Sequence, residues 1–210
     1  MNDLDLLSNR VLEKAHGCER LIVAIAGPPG SGKSTISAKL VGRLNDGETS
    51  EPSVVFPMDG FHLDNKILTE RGWLPRKGAP HTFDTDAFFK TLKEIHDHRR
   101  DVPIPVYDRT ASASIIDAGV IRLHHRIVVT EGNYLLLDQA PWRTMKPLFD
   151  LTVYLSVEPD ILEERLIRRW TDRGAEFDAA RNRALSNDMP NARLVAEKSV
   201  PADLTLGDAS

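Results

Sequence analysis

Leu21-Ile22-Val23-Ala24-Ile25-Ala26, followed at once by Gly27-Pro28-Pro29-Gly30-Ser31-Gly32-Lys33-Ser34, decides how this chain folds. A short apolar run rich in β-branched residues has the length and composition of a strand buried on both faces. The next eight residues follow the spacing G-x-x-x-x-G-K-[ST]. In that pattern the glycines let successive backbone N–H groups turn inward around a chain of phosphates. Lys33 then carries a positive charge to the β- and γ-phosphates, and the Ser34 hydroxyl is a ligand for Mg²⁺. The helix predicted from about Lys33 to Leu44 turns its positive N-terminal end on the same anion. A strand before and a helix after is the context the motif requires, so a nucleoside triphosphate site is predicted here.

The chain has 210 residues, enough for one α/β domain with a small appended element and a proper core. A formal net charge of −4 and a pI of about 6.0 leave no basic surplus that would argue for nucleic acid as the main partner. No apolar run reaches the roughly eighteen residues of a membrane-spanning helix, so no membrane insertion is expected. The single Cys18 excludes an internal disulfide framework. With an acidic amino terminus unlike a signal peptide, it leads to the expectation of a cytoplasmic protein.

Leu4, Leu7, Val11 and Leu12 recur at helical spacing. They predict an amphipathic helix from about Asp3 to His16, an N-terminal element (1–18) ahead of the main domain (19–210). That helix is expected to pack either on its own core or on a second copy in a homodimer. Val54-Val55-Phe56-Pro57 predicts a second strand ending at Met58-Asp59-Gly60, and Gly72 to Pro80 reads as a loop. Asp84-Thr85-Asp86 before Phe88, Phe89, Leu92 and Ile95 predicts a capped helix. Val102 to Val106, with two prolines, is at best an edge strand. Arg126 to Thr130 and Leu151 to Ser156 predict buried strands, a long charged helix starts near Pro159, and Ala202 to Leu206 completes the set. Strands alternating with helices predict a mostly parallel sheet covered on both faces, with ligands at the carboxyl ends of its strands.

Asp59 and Glu131 both fall at such strand ends. A kinase acting on an alcohol needs a carboxylate near the acceptor oxygen, a metal, and cations around the transferred group. Asp59 suits the first need, unless it only satisfies turn amides. Glu131 ends a buried run, where an acid is expensive unless it faces a metal or a wet cleft; the alternative is a cap. Arg165, Arg168, Arg169 and Arg173 share one helix face. They are placed either to neutralise phosphoryl charge or to pair with Glu163 and Glu164 in solvent. His62 follows Asp59 in the same turn, whereas the seven histidines as a set show no zinc spacing. Asn187 and Asn191, flanking Pro190, read as caps at a loop-to-helix junction.

Asp59-Gly60-Phe61-His62, Glu70-Arg71-Gly72, Arg76-Lys77-Gly78-Ala79-Pro80 and Val106-Tyr107-Asp108-Arg109 occur in that order. Together with the phosphate loop they resemble the phosphoribulokinase, uridine kinase and bacterial pantothenate kinase family of P-loop enzymes, over about Leu21 to Leu206. Within it, the likeness is strongest to bacterial proteins described as fructose-transport-system or nucleoside kinase-like. The resemblance implies a three-layer α/β/α fold with a five-stranded parallel sheet, a helical lid around 160–190, and Mg-ATP as donor to a small-molecule hydroxyl. It implies Asp59 as catalytic base, with Lys33 and Arg169 acting on the transferred group. Gly27 to Thr35 with Arg165, Arg168 and Arg173 would hold ATP, and Ser34 and Glu131 the magnesium. His62, Asp84, Tyr107 and Arg109 would hold the acceptor. Arg109 replaces an aromatic or histidine of uridine and pantothenate kinases, His62 replaces a tyrosine, and Ser112 lies near where a base-contacting histidine is missing. A sugar, or an anionic metabolite contacting Arg109, therefore stays open as acceptor. The alternative class is a nucleotide-binding regulator without metabolite kinase activity. A GTP-dependent switch fits poorly, because N-K-x-D and D-x-x-G elements are absent.

Overall fold

The computed structural model describes residues 2–207; the outermost bounds expected above, residue 1 and residues 208–210, lie outside them. Strands β1 (Leu21–Ala26), β2 (Ser53–Pro57), β5 (Ile127–Gly132), β6 (Leu151–Leu155) and β7 (Leu204–Leu206) form one sheet in the order β2-β5-β1-β6-β7. Every pairing in it is parallel. All six residues of β1 are buried, because the pleat sends them alternately to two cores. Ile22, Ala24 and Ala26 join Phe88, Leu92 and Ile95 of α4 (Thr85–Asp97) on one face. Leu21, Val23 and Ile25 join Leu7 and Val11 of α1 (Asp3–Ala15) and Leu40 of α2 (Lys33–Asn45) on the other. This is the three-layer α/β/α arrangement.

Local chemistry sets the helix starts. Asn2 and Asp5 form a reciprocal capping box on α1. Asp84 caps α4 by accepting from the Ala87 N–H at 2.9 Å. The segment that Pro103 and Pro105 confine to an edge is β3 (Val102–Asp108), paired antiparallel with β4 (Ala113–Ile121) in a separate two-stranded ribbon. Such a ribbon has a free edge on each side, which tolerates prolines. β4 was not foreseen.

The last third of the chain departs from expectation at Asn187–Asn191. α5 (Pro159–Thr171) leads to α6 (Phe177–Arg183), a π-turn (Ala184–Asp188) and α7 (Met189–Lys198), without a loop at Pro190. Pro190 lies in the first turn of α7, where its missing N–H and fixed φ cost little. Leu162, Leu166, Ala184, Met189 and Ala192 give this helical arm a small core of its own. Among the described residues no helix is long and apolar enough to cross a membrane.

Candidate active site

Parallel pairing brings the carboxyl ends of β1, β2 and β5 to one edge, with Pro57 opposite Glu131 and Ala26 opposite Gly132. A cleft of about 860 Å³ opens there, between the phosphate loop, the 3₁₀ turn Met58–Phe61, the tip of the β3–β4 ribbon and the helical arm.

At its phosphate end Gly32 takes φ 89° as the residue before α2, a conformation glycine adopts without steric cost. It brings no side-chain cap, so the first N–H groups of α2 are left for an anion. Lys33 is buried, and its Nζ donates to the Pro28 carbonyl at 2.8 Å and the Ser31 hydroxyl at 3.4 Å. Burial pushes its pKa down to about 8, against the pull of Glu131 and Asp59. The Ser34 hydroxyl donates to Glu131 Oε1 at 3.0 Å. Glu131, only 6% exposed, has its pKa raised by burial and by the nearby Asp59, with Lys33 and the Ser34 bond opposing. Two hard oxygen donors, one of them a buried carboxylate, fit a magnesium ion. Magnesium takes few protein ligands and completes its shell with water and phosphate, so no larger carboxylate cluster is needed.

At the other end Asp59 stands half-buried in the turn after β2. Its carbonyl lies 2.8 Å from His62 Nδ1 and fixes the ring, which packs between Phe83 and Tyr107 at 4.2 and 4.7 Å. Burial lowers the pKa of His62, with Asp59 opposing. Gly60 lets the turn approach the ribbon: a Cβ there would sit 2.2 Å from the Pro105 carbonyl oxygen. The Tyr107 hydroxyl lies 3.1 Å from Ser112 Oγ, and the Lys77 ammonium is 5.1 Å from the Tyr107 ring centre. Lys77 Nζ also donates to Asn65 Oδ1 and the Ser112 carbonyl, both at 2.7 Å.

The arm closes the third side. Arg165, Arg168 and Arg169 of α5 and Arg173 just beyond it all line the cleft. Arg169 lies near enough to both Lys33 and His62 to disfavour their protonation, so it spans the two ends. Trp170 donates from Nε1 to Asp188 at 2.7 Å, with the guanidiniums of Arg173 and Arg183 at 5.2 and 5.4 Å from its ring.

Residues 22–204 match the phosphoribulokinase/uridine kinase family. The chain belongs to that family. A Schizosaccharomyces pombe protein provisionally named a uridine kinase is 35% identical over 98% of this chain and 91% of its own length. A pantothenate kinase of Listeria monocytogenes is 31% identical over 76% of this chain, which spans about half (52%) of that protein. The crystal structure of a Silicibacter sp. TM1040 protein, provisionally named a fructose transport system kinase, superposes with a TM-score of 0.89. It is 42% identical, over 98% of this chain and all of that one. As a member of this family of P-loop kinases, the protein is a small-molecule kinase that transfers phosphate from ATP.

For this family member the cleft gathers most residues the sequence singled out. Pro29, Gly30, Gly32, Lys33, Ser34 and Thr35 line it, as do Asp59, His62, Tyr107, Arg109 and Glu131. Gly27, Pro28 and Ser31 stand behind them, Ser31 being buried. Asp84 is the exception. Its Oδ1 caps α4 and the residue does not line the cleft, so the structure does not bring it together with the other expected acceptor-side residues. Asn187 and Asn191, by contrast, are not caps. Asn187 Nδ2 donates to the Lys77 carbonyl at 3.0 Å, and Asn191 Oδ1 accepts from Arg76 at 3.4 Å. Lys77, Asn65, Trp170, Arg183 and Asp188 line the cleft without having been foreseen as site residues. Only Lys77 had a sequence signal, as part of Arg76-Lys77-Gly78; the others depend on which helices meet.

Proposed function

We propose that the protein transfers the γ-phosphoryl group of Mg-ATP to a hydroxyl of a small metabolite, such as a sugar or a nucleoside- or pantothenate-like alcohol. The observation that carries this reading is the placement of Asp59 in the same cleft as Lys33, Ser34 and Glu131, beside an aromatic pocket of His62 and Tyr107. The names borne by the relatives, for kinases of uridine, pantothenate and fructose transport, all point to alcohol-bearing compounds.

The phosphate loop and Lys33 hold the triphosphate; Ser34 and Glu131 would hold a magnesium ion, which would supply neutralisation of charge on the phosphoryl oxygens. The Asp59 carboxylate takes the proton from the acceptor hydroxyl as its oxygen attacks the γ-phosphorus. The bond from that phosphorus to the bridging oxygen breaks, and ADP leaves with the electron pair. Arg169, with the other arm arginines, acts as a lid that stabilises the charge in transit and excludes water. The work is cytoplasmic in this reading.

A coupled ADP-release screen over sugars, nucleosides, polyols and hydroxy acids tests the class of acceptor. With the best acceptor, Asp59→Asn should lower kcat by about 10²–10⁴-fold while Mg-ATP still binds. Undiminished turnover by that variant removes Asp59 from the role of base.

A further inference from the structure

The positive charge in the cleft exceeds what a nucleotide requires. Eight lysines and arginines line it against four carboxylates. Those carboxylates are largely engaged: Glu131 with Ser34, Asp188 with the Trp170 N–H, and Asp59 at the reacting end. A magnesium-bound triphosphate offsets only part of the remaining excess. The surplus is also local. Lys77 reaches the cleft beside the Tyr107 ring of the aromatic pocket, and Arg109 lines it two residues further along the chain.

Lys77 is held there by both its ends. Its carbonyl accepts from Arg183 at 3.1 Å and Asn187 at 3.0 Å, and its ammonium is bonded to Asn65 and Ser112 beside the Tyr107 ring. Two of its three N–H groups are thus used on neutral acceptors. Among the described residues neither Lys77 nor Arg109 lies within ion-pair distance of a carboxylate. At longer range Arg109 acts on both signs: it opposes the rise in the Glu131 pKa and, after burial and Arg169, lowers that of Arg173. Cations that line one cleft with no carboxylate in ion-pair contact favour an anion between them.

We infer, resting on the kinase reading above, that the acceptor is an anionic hydroxy compound whose carboxylate or phosphate is held between Lys77 and Arg109. This places the negative group at the ribbon and loop side of the pocket and leaves the hydroxyl to Asp59. Lys77 and Arg109 are then the residues that set specificity. A neutral alcohol of the same shape leaves both charges unmet.

Matched pairs test this: glycerol against glycerate, pantothenol against pantothenate, and ribose against ribose 5-phosphate. Each is titrated by calorimetry into protein saturated with Mg-AMP-PNP at low salt. The charged member of at least one pair should bind about tenfold or more tightly than its neutral partner, as expected for a charge-assisted contact of about 1.4 kcal/mol or more. A preference confined to the third pair selects phosphate, and one confined to the first two selects carboxylate. Lys77→Met and Arg109→Met should each remove most of the preference, and Lys77→Arg and Arg109→Lys should restore part of it. Thermal unfolding of all four variants serves as the folding control. Equal binding of neutral and charged members across all pairs, or a preference indifferent to both methionine variants, overturns the inference. The kinase reading fails separately, if hydroxyl compounds of either charge never stimulate ADP release.

Discussion

Lys33 sits under opposing forces: burial strips its charge, while Glu131 and Asp59 favour keeping it. With a pKa of about 8 in the nucleotide-free protein, it is charged below that value and loses its proton as pH rises through it. A triphosphate binds the charged form, so affinity for Mg-ADP or Mg-AMP-PNP should decline as pH rises above about 8. An ordinary lysine would defer that decline to about pH 10.4. Calorimetry across that range checks it. Glu131 works in the opposite sense. Its pKa is raised in the folded chain, so the carboxylate costs stability as it ionises, and that cost grows as pH rises through the shifted value. Glu131→Gln keeps the size and the bond to Ser34 but removes the charge. It should therefore raise the melting temperature of the nucleotide-free protein near neutral pH, by about 2–4 °C for each kcal/mol relieved. The same variant should lose magnesium-dependent turnover. A lower melting temperature would show that the buried charge is already compensated.

The turn carrying Asp59 and the β3–β4 ribbon act as one unit, because Gly60 lets them touch. Gly60→Ala forces a methyl group against the Pro105 carbonyl, where no flexible side chain can yield. Overpacking of this kind costs about 1–3 kcal/mol. Urea denaturation should show a loss of that size, accompanied by a fall in kcat as the Asp59 turn moves off the ribbon. At this scale the sequence was legible where one element carries its own signal. β1 is a continuous apolar run, β5 and β6 are largely apolar, and α4 has its Asp84 cap and an apolar face of Phe88, Leu92 and Ile95. β4 was hidden because Ala113–Ile121 is mostly solvent-facing, with Ile116 80% exposed, so no inward–outward alternation marks it. Asp84 carries a related ambiguity. A carboxylate ahead of a helix serves the Ala87 amide or a substrate with the same letters, and only its orientation tells which.

Across the whole molecule the helical arm grips the loop that carries Lys77. Arg183 donates to the carbonyls of Pro75 and Lys77, Asn187 to that of Lys77, and Arg76 reaches back to the Ser186 carbonyl at 2.8 Å. Arm and loop should therefore move together. Arg183→Met removes the charged donors and should speed hydrogen exchange in residues 74–79 about tenfold, matching one lost charge-assisted bond of about 1.5 kcal/mol. Mass-spectrometric exchange would show it; unchanged protection would mean that Asn187 and Arg76 suffice. The phosphate loop, the parallel sheet and the strand-end acids were determined by sequence alone, since a glycine-rich loop behind a buried strand is a short-range physical demand that few folds meet. The company those residues keep was decided by tertiary structure. Lys77, Arg109, Trp170 and Arg183 come from a loop, a ribbon and two helices, and they converge only once distant segments pack. The field that selects the acceptor is a property of that packing, and the chain read in order does not contain it.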